Sequence, residues 1–143
     1  MLRRLASLAA LGAALSACIS GGARPLPKLA EDPEQPELAL LEHVLTGHFA
    51  AAGARGPATC AALAPVPLTA EQEGALLDRF VRLAPASRCG ENDAVVRVYD
   101  FACPSDTVCS GWVARPGVPA TRYAMRFEDG AWRFDGDLRV IAE

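Results

Sequence analysis

Apolar and polar positions change rhythm three times along the chain. Leu5 to Leu15 is a nearly unbroken apolar run of 11 residues. Residues 20–36 break it with two glycines and with Pro25, Pro27, Pro33 and Pro36. From Glu37 the apolar residues recur at helical spacing, and from Ala94 they alternate. Stepping about 100° per residue over Glu37–Ala52 gathers Leu38, Leu40, Leu41, Val44, Leu45 and Phe49 on one broad face, which predicts a helix. Gly53 is its expected stop, and Gly47 inside it costs about 1 kcal/mol against alanine. Gly53–Leu68 has no clear period and is expected to be irregular, with a short helical turn around Cys60. Thr69-Ala70-Glu71-Gln72 is a capping box, in which threonine and glutamine satisfy each other's free amides at a helix start. The helix it opens is expected to turn Leu76, Leu77, Phe80 and Leu83 inward and to end near Pro85, with Asp78 and Arg82 as a solvated pair.

Four strands are expected at Ala94–Cys103, Cys109–Arg115, Thr121–Glu128 and Ala131–Ile141. Asp129-Gly130 is a strong two-residue hairpin signal. Closing the last two strands on it pairs Glu128 with Ala131, Phe127 with Trp132, Met125 with Phe134 and Tyr123 with Gly136. The other face pairs Arg126 with Arg133, Ala124 with Asp135 and Arg122 with Asp137. A slip of one residue would carry Trp132 and Phe134 into water and two charges inside, so turn and pattern agree on one register. The expected fold class is α+β: two helices followed by a four-stranded antiparallel sheet, the helices packed on one face, with two disulfides. This element order resembles the cystatin-like and nuclear-transport-factor-like cone folds over residues 37–143, in which a helix packs into a curved sheet. Such folds host enzymes and binding modules alike.

The first 18 residues carry an address. Met1-Leu2-Arg3-Arg4, the apolar run and then Leu15-Ser16-Ala17-Cys18 make a basic start, a short hydrophobic core and small residues before a cysteine. This resembles the signal peptide and lipobox of bacterial lipoprotein precursors. The resemblance implies cleavage before Cys18, a lipid on Cys18, and a signal peptide at residues 1–17. Lipoproteins usually carry several acyl chains, which implies firm attachment to a membrane. The run is too short to span a bilayer, which takes about 20 apolar residues. Ile19 stands where the enterobacterial pattern puts an aspartate for inner-membrane retention, so the expected location is the bacterial envelope, on the periplasmic side of the outer membrane. Residues 18–36 then read as lipidated cysteine and tether, with a reach of roughly 50 Å at about 3 Å per residue, and 37–143 as one domain.

Cleavage would remove Arg3 and Arg4 and take the net charge from −3 to −5. That balance argues against nucleic acid and against a polybasic membrane patch. With Cys18 acylated, Cys60, Cys89, Cys103 and Cys109 remain, an even set that reads as two disulfides in an exported chain. Three pairings exist. Cys103 and Cys109 bracket a strand–loop–strand and are expected to pair, leaving Cys60 with Cys89. Zinc sites use closer cysteine pairs, so no metal is expected.

No nucleophile elbow, phosphate loop or His-Glu-x-x-His occurs in the chain, and no cofactor or catalytic residue is assigned. His43 falls on the polar helix face as a solvated side chain. His48 falls on the apolar face, expected at the core margin on a backbone carbonyl, with a pocket role as the alternative. Asp135 and Asp137 share a strand face, expected to balance Arg122, Arg126, Arg133 and Arg139. Two functional classes remain. One is a non-enzymatic envelope module that binds another protein. The other is a small-ligand binder or enzyme of cone-fold type, with His48, Trp112 and Tyr123 lining a pocket between helix and sheet.

Overall fold

The computed structural model describes residue 26, residues 28–53 and residues 58–139. Helix α1 spans Pro36–Ala52 and helix α2 spans Ala70–Leu77. The strands are β1 Thr59–Leu63, β2 Leu83–Ala84, β3 Ala94–Ser105, β4 Val108–Arg115, β5 Val118–Glu128 and β6 Ala131–Arg139. They form one sheet in the order β2-β1-β3-β4-β5-β6. The fold is α+β with two helices, but the sheet is larger than expected. The four antiparallel strands are there as β3 to β6, and β1 and β2 extend the sheet with parallel pairings. No described helix is long and apolar enough to cross a membrane.

The extension corrects two expectations. Residues 59–63 were expected in an irregular stretch with a helical turn at Cys60. They form β1 instead, pairing Cys60 with Val95 on one side and with Ala84 on the other. Thr-Cys-Ala-Ala-Leu carries little alternation, so its strand character comes from two distant neighbours. Leu83 was expected inside the second helix. Helix α2 ends at Leu77, and Leu83 pairs with Thr59 in β2. The capping box of α2 forms as read, with Thr69 Oγ1 accepting from the Gln72 amide at 3.2 Å and Gln72 Oε1 accepting from the Thr69 amide at 3.0 Å. Of the expected inward residues, Leu76 and Leu83 are buried, and Leu77 and Phe80 are half-buried against them.

Helix α1 starts at Pro36, whose fixed φ suits a first helical position, and stops at Gly53, where φ is +64°. Leu38, Ala39, Leu40, Leu41, Val44 and Leu45 are all buried. So many consecutive buried positions exceed a single stripe. The first half of α1 is enclosed by the sheet and also by a 3-10 turn at Leu29–Glu31. Leu29 belongs to the core, and Trp132 Nε1 donates to the Asp32 carbonyl at 2.9 Å. Leu29 and Asp32, expected in the tether, therefore pack with the folded domain. Residues 1–25 and Ile141 of the expected elements, Cys18 included, lie outside the described residues.

The final hairpin closes on Asp129 and Gly130, with φ of +52° and +77°, the pair of positive values that a type I′ turn requires. Glu128 pairs with Ala131, Phe127 with Trp132, Arg126 with Arg133, Met125 with Phe134 and Ala124 with Asp135, as read from sequence. The register then shifts. Arg122 pairs with Leu138, so the expected partnerships of Tyr123 with Gly136 and Arg122 with Asp137 do not form. A bulge on β6 supplies the extra residue, and nothing local to the turn encodes it. The disulfides join Cys60 to Cys89 and Cys103 to Cys109.

Gly111 is held to its small size by tertiary packing. A Cβ there would sit 2.6 Å from Cδ2 of Phe101, whose ring covers the glycine beneath Leu40 of α1. Gly111→Ala should therefore destabilise the domain by about 1–3 kcal/mol through forced displacement of that ring. Trp132→Ala should cost about 3–5 kcal/mol, and Arg133→Ala no more than about 0.5 kcal/mol, because the first is core and the second is exposed. Thermal or denaturant melts of the three variants check both statements.

Candidate binding surface

The sheet has two faces of different character. The face under α1 carries Val96, Val98, Cys109, Val113, Tyr123, Met125 and Trp132, all buried. Alternation sends Arg97, Tyr99, Ser110, Trp112, Ala114, Arg122, Ala124 and Arg126 to the opposite face, which neither helix covers.

The three residues proposed to line one pocket are thereby placed apart. Tyr123 is on the helix side, 5.9 Å edge-on from the His43 ring. Trp112 is on the open side, stacked with Tyr99 at 6.4 Å between ring centres. His48 lies near the end of α1, where its Nε2 is 3.0 Å from the Thr59 hydroxyl. Its partner is thus a buried side-chain hydroxyl, where a backbone carbonyl was expected. Burial, and then the charges of Arg115 and Arg82, hold the His48 pKa below its ordinary value of 6.5. His43 is exposed, as expected, and its ring also stacks on Phe134 at 4.2 Å and 9°. The two histidines face different neighbours. No group of three metal-ligating side chains occurs among the described residues. All four domain cysteines are oxidised, which removes them as nucleophiles.

The open face concentrates the remaining chemistry. Tyr99 and Trp112 are directly opposed across β3 and β4, and Arg122 is directly opposite Trp112 on β5. Arg122 Nη2 donates to Ser110 Oγ at 3.2 Å. Arg97 lies opposite Ala114, and a groove of about 560 Å³ runs between Arg97, Tyr99, Asp100, Ala114, Ala64 and Pro65. Arg126 and Arg133 sit side by side as like charges, and Glu128 at 3.9 Å from Arg126 offsets part of their repulsion. Asp135 is exposed nearby on β6. Tyr99 was not singled out from the sequence. Its signal was available in principle, as an aromatic in the same alternating run as Val96 and Val98. Its pairing with Trp112 depends on the irregularity at Asp100, where φ is +48°, and that could not be located beforehand.

A second, smaller cleft of about 310 Å³ lies between the starts of α1 and α2 and the loop after β1. Leu63, Val98 and Phe101 form its floor, and Glu37 and Gln72 stand at its rim. Comparison with protein-family models, with curated proteins and with solved structures gives no match.

The depressed His48 pKa has a definite consequence for stability. Below about pH 6.5 the unfolded chain binds a proton at His48 that the folded chain resists. The contribution is fully present above that pH and is lost as pH falls through it. In melts from about pH 8 to about pH 5, the wild type should lose more stability than His48→Gln. NMR titration of the His48 ring should give a midpoint below 6.5.

Proposed function

We propose that the protein is a lipid-anchored component of the bacterial envelope, held by an acylated Cys18 on the periplasmic side of the outer membrane. Its folded domain acts by binding another envelope protein rather than by catalysis. The observation that carries the binding role is the open sheet face, where stacked Tyr99 and Trp112 lie beside Arg97 and Arg122. Tryptophan, tyrosine and arginine dominate the energetics of protein interfaces, because rings bury area with little entropy loss and guanidinium groups fork onto carboxylates. The helix-covered side supports the same reading. Val96, Val98, Val113 and Met125 of that face are buried in one core with Leu38, Leu40, Leu41, Val44 and Leu45 of α1. Anchoring rests on the basic start, the apolar run and Leu15-Ser16-Ala17-Cys18.

The cleft beside Phe101 favours a second reading, a small apolar ligand, because its roughly 310 Å³ reaches the lower end of ligand-site volumes.

Radiolabelled palmitate fed to expressing cells should label the wild type and leave Cys18→Ala unlabelled. A photo-crosslinking residue at Ala114 in living cells should give discrete protein adducts, and the same residue at Glu71 on α2 should give none. Adducts of equal pattern at both positions, or a tightly retained small molecule released on denaturation with no adduct at Ala114, would defeat the protein-binding reading.

A further inference from the structure

Charge is segregated in this fold. Helices α1 and α2 contain Glu37, Glu42, Glu71 and Glu73 and no lysine or arginine. The open sheet face carries Arg97, Arg122, Arg126 and Arg133 in a chain whose net charge is −3. Among the described residues, Arg97, Arg122 and Arg133 form no ion pair, and Arg122 bonds only to the neutral Ser110. Three guanidinium groups therefore stand without a carboxylate partner among the described residues, two of them flanking the aromatic pair. Arg122 is across from Trp112, and Arg97 precedes Tyr99 by two residues on the same face. Ala114 and Ser110 on either side of Trp112 are small, so the ring edges are reachable from solvent.

From this arrangement we infer that the partner of the open face is a polypeptide segment presenting aspartate or glutamate beside an apolar side chain. The inference rests on the protein-binding reading above. The apolar side chain would cover Tyr99 and Trp112. The carboxylates would take bidentate hydrogen bonds from the planar guanidinium forks of Arg97 and Arg122. The acids on this face argue against an anionic bilayer as the occupant. Asp100 lines the groove and Asp135 lies among the arginines, and a uniformly negative surface would press against both. A polypeptide places carboxylates at discrete points and can offer backbone amides to Asp100. Mixed charge of this kind fixes register and excludes wrong partners more than it adds affinity.

The test uses the detergent-purified full chain and a displayed library of random dodecapeptides, with peptides that also bind Trp112→Ala discarded. Retained peptides should share one or two acidic residues adjacent to an aromatic or aliphatic residue. A synthetic peptide of that sequence should lose at least about tenfold in affinity to the double variant Arg97→Gln, Arg122→Gln. It should also weaken as salt rises from about 0.05 to about 0.5 M, and should bind Glu71→Gln as it binds wild type. The double variant changes only solvent-facing arginines, and an unchanged melt verifies its fold. Trp112-dependent peptides without carboxylates, or equal binding by the double variant, would overturn the acidic partner while leaving the protein-binding reading intact. Failure to retain any Trp112-dependent peptide, together with Trp112-dependent binding to phosphatidylglycerol vesicles or to soluble peptidoglycan fragments, would overturn both.

Discussion

The packing of α1 on the inner face of the sheet is the contact on which everything else depends. Leu38, Leu40, Leu41, Val44 and Leu45 are almost wholly shielded from water, each contributing about 1.5–3 kcal/mol on transfer from solvent, as an upper estimate. The helix needs that contact. Its N-cap, Gln35, makes no capping hydrogen bond, and Gly47 weakens its interior. Most of a protein helix's stability comes from packing its apolar face, not from propensity. The sheet is shaped by the same contact, since Gly111 is kept bare so that Phe101 can lie beneath Leu40.

The two end strands of the sheet are held in different ways. Strand β2 meets β1 over only two residue pairs, and the disulfide from Cys60 to Cys89 ties β1 to the 3-10 turn that follows β2. A crosslink restricts the unfolded chain, which matters most where local contacts are sparse. At the opposite end, β6 is covered by the chain that leads into α1, through Leu29 and the Trp132 bond to Asp32. Arg79 joins the two helices, donating to Glu42 at 2.8 Å.

One-sided cover has a functional consequence. Both helices lie on one face, so the other must present whatever alternation puts there: aromatic rings in the centre and arginines around them. Acidic helices on one side and arginines on the other give the domain a polarity that the chain's net charge of −3 conceals.

The chain by itself determined the features whose causes are local. The helix over residues 37–52 follows from spacing, the start of α2 from four adjacent residues, and the hairpin register from Asp129-Gly130 acting with the pattern of Phe127, Trp132 and Phe134. The disulfide partners followed from an even cysteine count and one short loop. Tertiary structure alone decided the features whose causes are distant. Strand β1 has no strong period and becomes a strand because β2 and β3 supply its hydrogen bonds. Leu83 leaves the helical pattern for the same reason. The bulge on β6 breaks an alternation that looked regular in sequence. His48 finds its hydroxyl and His43 its stacking ring only when α1 meets the sheet. Tyr99, Trp112 and Arg122 come from three strands, and no spacing along one strand reports that they adjoin. Local propensity is written within a few residues, whereas adjacency in a sheet depends on which strands meet and in what register, and in this fold the open aromatic and arginine face belongs to the second kind.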